Sequence, residues 1–173
     1  MQENWLRAAL IAAILLIAGP IWGEDFRITG IAKVIDGDTI EIRGVRIRLF
    51  GIDAPEGAQD CGRADGTRWN CAQQATSALE NYLRARPVVC VRRDVDRYGR
   101  LVCQCTVSGV DVNAWLVRNG WAVAYTLYSR DYVREEAEAR AARRGIWSGD
   151  LVMPWEWRRG QRPLRTNVHS GGD

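Results

Sequence analysis

Histidine and lysine are almost missing from this chain: His169 and Lys33 are the sole examples in 173 residues. A single histidine in a Gly/Ser/Asp-rich tail excludes a Ser-His-Asp triad, a histidine-pair ribonuclease and an HExxH zinc site. Whatever the chain catalyses must rely on carboxylates, arginines, thiols or metals. Charge of one sign is also in short supply, because Lys+Arg 24 against Asp+Glu 21 leaves a net charge of only +3. The chain is therefore no general polycation, and an anion must be held at a local site. The basic side is almost entirely arginine, whose planar fork suits phosphate oxygens, although codon bias alone would produce the same excess.

A full membrane span of about 20 apolar residues is absent as well. Met1 to Arg7 is short, amphipathic and ends in a positive charge, and the apolar run Ala8 to Trp22 that follows is broken by Gly19-Pro20. This is the pattern of a signal-peptide h-region, so residues 1–23 are expected to be an export signal, with an uncleaved membrane anchor as the alternative and transient membrane contact in either case. The expected location is periplasmic or secreted.

The full chain is 47% apolar, enough to close a core, and the part after residue 23 has room for one domain, placed at 26–150, and a C-terminal extension, 151–173. That extension, from Arg158 onward, is Gly-rich, dotted with arginine and short of large apolar residues, so a disordered end is expected.

Export gives the five cysteines a disulfide-permissive setting. Cys61 and Cys71 bracket a polar loop that a bridge would pin. Cys90 lies on one apolar run, and Cys103 and Cys105 share one face of the next. Cys90 can pair with only one of them; Cys105 is favoured, leaving Cys103 buried and free. A zinc site from these three lacks a CxxC knuckle or a nearby histidine.

From Phe26 to Ile52 the alternation is that of a three-stranded meander turning at Asp36-Gly37-Asp38 and Arg43-Gly44. Ile40, Ile42, Val45, Ile47 and Leu49 face inward, opposite Glu41, Arg43, Arg46, Arg48 and Phe50. A helix follows, capped by Asn70, carrying Ala72, Ala75, Leu79, Tyr82 and Leu83 on one stripe and closed by Pro87. Val88 to Val91 and Leu101 to Val107 read as two further strands around the polar connection 92–100. Asp111 caps a second helix that stops at Gly120, and Asp131 to Arg144 forms a third, with Glu135, Glu136 and Glu138 early and Arg140, Arg143 and Arg144 late. Five strands and three helices make an α+β chain of the OB type, a five-stranded barrel whose open face commonly takes oligonucleotides.

Four segments carry the chemistry: Asp36-Gly-Asp-Thr39; Arg48-Leu-Phe-Gly-Ile-Asp-Ala-Pro-Glu56; Asp96-Arg-Tyr-Gly-Arg100; and the closing stretch from Gly120 to Trp147. Each alone reads as a turn or loop. Together and in this order they resemble the staphylococcal nuclease family, over roughly Ile28 to Gly149. The resemblance implies an OB-fold, calcium-dependent phosphodiesterase of DNA and RNA. It implies that Asp38 and Asp53 ligate Ca2+ together with the Ala54 carbonyl, and that Arg48 and Arg100 bind the scissile phosphate. Glu56 would act on the attacking water, and Tyr98 and Tyr125 would line the nucleotide pocket. The family pattern has threonine at Ala54, a change of little consequence if the backbone carbonyl is the ligand. It also has lysines in the loop after Glu56, for which Arg63 and Arg68 would be the substitutes here.

Physical chemistry supports these roles independently. A phosphodiester repels nucleophiles, so its hydrolysis calls for cations around the phosphate and a positioned water. Arg48 and Arg100 offer bidentate bonds to phosphate oxygens, and a hard cation on few protein oxygens keeps waters of its own. The expected substrate is single-stranded or locally melted DNA and RNA, and a monomer suffices. Two competing readings are a non-catalytic OB-fold nucleic-acid-binding module and an envelope interaction protein held by its N-terminal helix. The binding module would have no use for Glu56 and would need more stacking aromatics than Tyr98, Tyr125 and Tyr128, with Trp115, Trp121 and Trp147 assigned to the core.

Overall fold

The computed structural model describes residues 26–163; the expected export segment and the last ten residues of the tail lie outside the described residues. Strand β1 (Arg27–Val34) alternates exposed and half-buried positions, as a strand with one covered face should. It pairs antiparallel with β2 (Thr39–Ile42), which pairs antiparallel with β3 (Val45–Leu49), so the meander forms as its alternation predicts. Ile40, Ile42, Ile47 and Leu49 are buried at 0–1% exposure, whereas Val45, also expected inside, is only half-buried at the turn.

Beyond the short β4 (Ile52–Asp53), β5 (Asp60–Gly62) pairs with β6 (Arg68–Asn70) as a hairpin across the first disulfide, Cys61–Cys71. Helix α1 (Cys71–Leu83) starts at Asn70, whose side chain accepts a hydrogen bond from the Gln73 N–H at 2.8 Å. It stops before Pro87, because Ala85 takes a left-handed φ of 54°, and Pro87 instead opens a strand. That strand, β7 (Pro87–Val95), is longer than the expected Val88 to Val91. The connection read as polar loop is mostly ladder, and only Asp96 to Arg100 turns before β8 (Leu101–Val107).

The barrel closes where β8, antiparallel to β7, also pairs parallel with β3, setting Arg48 beside Val102. Cys90 and Cys105 face each other in the β7–β8 register and are bonded, and Cys103 is buried and free. Burial pushes the Cys103 thiol up to about 11 against the opposing pull of Arg92.

The short β9 (Val110–Asp111) leads into helix α2 (Val112–Arg118), where Asp111 accepts from the Ala114 N–H at 2.9 Å. Buried Asn113 fastens this helix to the barrel: its amide donates to the carbonyls of Phe50 and Cys103 and accepts from the Cys105 N–H. All its strong polar atoms are thus used, which a buried side chain requires. Strand β10 (Val123–Ala124) pairs with β4 and so fixes Asp53.

Helix α3 (Val133–Ala141) is shorter at both ends than the expected Asp131 to Arg144. Buried Tyr132, whose hydroxyl donates to Asp111, occupies the cap position, so the helix begins after the expected start at Asp131, and Arg143 already has a left-handed φ of 50°. Gly120 and Gly145 approach each other so closely that a Cβ on either would strike the other's segment, and the Ile146 N–H donates to the Gly120 carbonyl at 2.9 Å. That crossing is the physical reason for glycine at both places.

The extension also departs from expectation. After a single 3-10 turn (Gly145–Ser148), Pro154–Arg158 forms helix α4, so Arg158 ends a helix and does not begin a free tail. Leu151, Met153 and Trp155 join Trp69 and Trp147 around a second core of Cys61, Cys71, Val123 and Ile146. The loop pinned by the first disulfide therefore has a core of its own, completed by the extension. Among the described residues no helix is long and apolar enough to cross a membrane.

Candidate active site

One cavity of about 800 Å³ opens where the β1–β2 turn, the end of β3, the loop after β4, the β7–β8 turn and α4 meet. Its first carboxylate comes from the Asp36-Gly37-Asp38 turn, in which the Asp38 N–H donates to Asp36 at 3.0 Å. A Cβ on Gly37 would lie 2.7 Å from that of Ala54 and 3.3 Å from that of Ala75, so glycine is what lets the turn press against both. Asp38 is consequently 5% exposed; it accepts from the Thr39 hydroxyl and from the Ala54 N–H. Burial pushes its carboxyl up to about 7, against the pull of Arg48 and with help from Asp36 and Asp53.

Asp53 is fully buried. Arg48, on the outward face of β3, brings one guanidinium nitrogen to 3.0 Å from Asp38 and 2.8 Å from Asp53. Desolvation works against the Arg48 charge, but the two carboxylates outweigh it and raise the guanidinium above its ordinary range. Glu56 follows Pro55 at the cavity edge, 37% exposed, and its N–H donates to Gln59 at 3.1 Å. The structure thus brings Arg48, Asp38, Asp53, Ala54 and Glu56 to one wall.

Arg100, Tyr98 and Tyr125 line the same cavity but stand apart from that cluster. Arg100 is held by Asp96 at 2.7 Å, and Asp96 also takes the N–H groups of Tyr98 and Arg100, each at 2.9 Å. Burial would lift the Asp96 carboxyl, yet these hydrogen bonds and the Arg100 charge hold it below its usual range. Arg97 and Arg100 both lie over the exposed Tyr98 ring. Tyr125 packs between Tyr128, with centroids 5.0 Å apart, and Trp155, stacked at 5.7 Å.

Sequence reasoning missed three side chains: Arg158, Trp155 and Gln59. Arg158 puts its two terminal nitrogens 3.0 and 2.8 Å from the Asp53 oxygens and also reaches Glu56. Gln59 is fully buried and joins the Glu56 loop to the extension by donating to the Val152 carbonyl at 2.6 Å. The usable signal was Pro154 followed two residues later by Glu156, a helix start that contradicts a free tail.

Among the described residues no group of three or more His, Cys, Asp or Glu side chains forms a ready cation cage. The donor set at Asp38 and Asp53 nonetheless fits a hard cation. Two buried carboxylates share one Arg48 nitrogen, and burial, with Asp36 and Asp53 close by, drives the Asp38 carboxyl toward protonation. With the adjoining Ala54 carbonyl they would make a sparse oxygen set of the kind on which calcium or magnesium retains water.

The geometry agrees with comparisons to known proteins. Residues 46–149 match the model of the family described as staphylococcal nuclease homologue. Protein ParB of Escherichia coli is 37% identical over 173 aligned residues, covering 89% of this chain and 90% of that protein. The micrococcal nuclease of Shigella flexneri is 33% identical, covering 91% and 94% respectively. The succinoglycan biosynthesis protein ExoI of Rhizobium meliloti (strain 1021) is 40% identical over 142 residues, covering 80% and 73%. With the barrel closed, the arginine and carboxylates gathered at its mouth and the match spanning most of the domain, the chain belongs to the family of staphylococcal nuclease homologues and is a nuclease.

Proposed function

We propose that this chain is a calcium-dependent endonuclease that hydrolyses DNA and RNA through metal- and arginine-assisted attack of water. The observation that carries the reading is Arg48 bridging Asp38 and Asp53 beside Glu56, because phosphodiester hydrolysis needs a cation site, a phosphate donor and a water-directing carboxylate within one cavity. Asp38, Asp53 and the Ala54 carbonyl would hold Ca2+, which when bound supplies positive charge to phosphate and water. Arg48 and Arg100 donate to the phosphate oxygens, using nitrogens that their carboxylate partners leave free. Glu56, half in solvent, takes a proton from the attacking water. Tyr98 and Tyr125 offer ring faces to the neighbouring bases, which suits single-stranded or locally melted DNA and RNA.

The two disulfides favour an exported, periplasmic or secreted protein, in line with the N-terminal segment acting as signal or anchor and touching the membrane only there. A monomer contains every residue the mechanism uses.

Glu56→Gln tests this reading against a non-catalytic binding module. It keeps the shape but removes the charge, so turnover should fall by orders of magnitude while oligonucleotide affinity stays equal or rises. Unchanged kcat would remove Glu56 from the mechanism. A wild-type chain that binds but never cleaves would establish the binding module.

A further inference from the structure

The region matched by the family ends at residue 149, yet the active-site wall does not. The segment that follows is docked on β5 and the loops beside the barrel at several independent points. The Gly62 N–H donates to the Asp150 carbonyl at 2.8 Å, Gln59 holds Val152, Pro154 is buried, and Trp155 stacks on Tyr125. The arm therefore stays in place without help from the side chain at its end. That side chain is Arg158, 36% exposed, with its guanidinium in the cavity.

We infer that Arg158 is a third phosphate-binding arginine of the active site, delivered by the C-terminal arm; the inference rests on the nuclease reading above. Arg48 and Arg158 bond to the same Asp53 oxygen, at 2.8 and 3.0 Å, so two guanidinium groups stand side by side on one carboxylate. Two like charges held this close repel each other. Paired like charges facing a cavity favour a further anion between them. The charge balance points the same way. Asp38, Asp53 and Glu56 bring three negative charges when ionised, and Arg48 and Arg158 bring two positive ones. A divalent cation on the carboxylates would leave one positive charge in excess, matching the single negative charge of a phosphodiester. Without Arg158 this group of side chains would be one charge more negative when substrate binds.

The test uses the full chain in calcium and a nuclease-resistant phosphorothioate single-stranded oligonucleotide, followed by fluorescence anisotropy across a salt series. Arg158→Gln should weaken binding and make the slope of log K against log salt shallower by about 0.7, the value of one lost phosphate contact on a single strand. Its kcat/KM on an ordinary oligonucleotide should fall at least about tenfold, one bidentate charge-assisted contact having gone. Arg158→Lys should restore most of the salt slope. Arg162→Gln removes an equal charge from a guanidinium lying on Trp157, outside the cavity, and should leave kcat/KM unchanged. A rise in kcat/KM for Arg158→Gln would overturn the inference by showing an inhibitory clasp on Asp53 and Glu56. Unchanged slope and kcat/KM would overturn it by showing a purely structural ion pair. If the wild type itself fails to cleave in calcium, the nuclease reading fails; if the wild type cleaves and Arg158→Gln behaves like it, only the role of Arg158 does.

Discussion

Replacing Arg48 with lysine separates geometry from charge. In the structure one terminal nitrogen of Arg48 serves both carboxylates, 3.0 Å from Asp38 and 2.8 Å from Asp53, leaving the rest of the fork for a phosphate. Lysine has one nitrogen and cannot hold the carboxylates and present a bidentate pair at once. The expected loss is about 10² or more in kcat, or roughly 2.7 kcal/mol of transition-state stabilisation. Stability should respond differently. Lysine keeps a positive charge beside the buried carboxylates, so its urea midpoint should stay close to that of the wild type. Arg48→Ala strips Asp38 of its cation, and breaking such a buried pair costs about 3–5 kcal/mol. The lower end is expected, because Asp53 keeps Arg158 and Asp38 can take up a proton, its carboxyl already lying at about 7. Cleavage rates and urea melts on the three proteins decide the matter. A lysine variant with wild-type kcat would mean that Arg48 supplies general electrostatics only, and the phosphate-fork argument would be refuted.

Two further outcomes follow from the fold. Replacing Cys61 and Cys71 together by alanine should lower stability by about 2–3 kcal/mol in the chain-entropy model, and should loosen the arm packed on that bridge. Urea melts give the first quantity and limited proteolysis after residue 149 the second; an undiminished midpoint would contradict the role of the bridge. Asp96→Asn should destabilise the β7–β8 turn at neutral pH. Because the folded Asp96 carboxyl lies below its usual value of 3.8, its contribution is present above that pH and is lost as pH falls through the lowered folded value. Melts of both proteins from pH 7 down to pH 2 should therefore converge, and a gap that persists at the acid end would show that charge on Asp96 is not the cause.

The sequence disclosed what is local and left out what is long-range. Asn70 and Asp111 were readable as caps because a cap bonds to an N–H three residues away, and both bonds are present. The alternation around Ile40 and Ile47 was equally local. The parallel pairing of β3 with β8, which sets Arg48 beside Val102, has no local signature. The length of β7 was misjudged because Arg92, Arg93 and Asp94 are polar and exposed, although Arg92 and Asp94 still pair with β8 on either side of an irregularity at Arg93. The motif residues Asp38, Arg48, Asp53 and Glu56 could be singled out because the four segments, taken together and in order, resemble one family's pattern, although each segment alone reads as a turn or loop. Arg158 was not, since it reaches Asp53 across 105 positions and only through an arm whose core is completed by Cys61, Cys71 and Ile146.

The claim that Asp38 and Asp53 hold a catalytic cation meets its most direct test in one titration. The full chain is incubated with a single-stranded DNA oligonucleotide in calcium, a chelator is added in excess, and calcium is then restored, with cleavage products followed throughout. Two carboxylates and a carbonyl make a site of modest affinity, so cleavage should stop on chelation and resume on restoration, and Asp53→Asn should need far more calcium for half-maximal rate. Full activity in excess chelator would contradict the account at its centre.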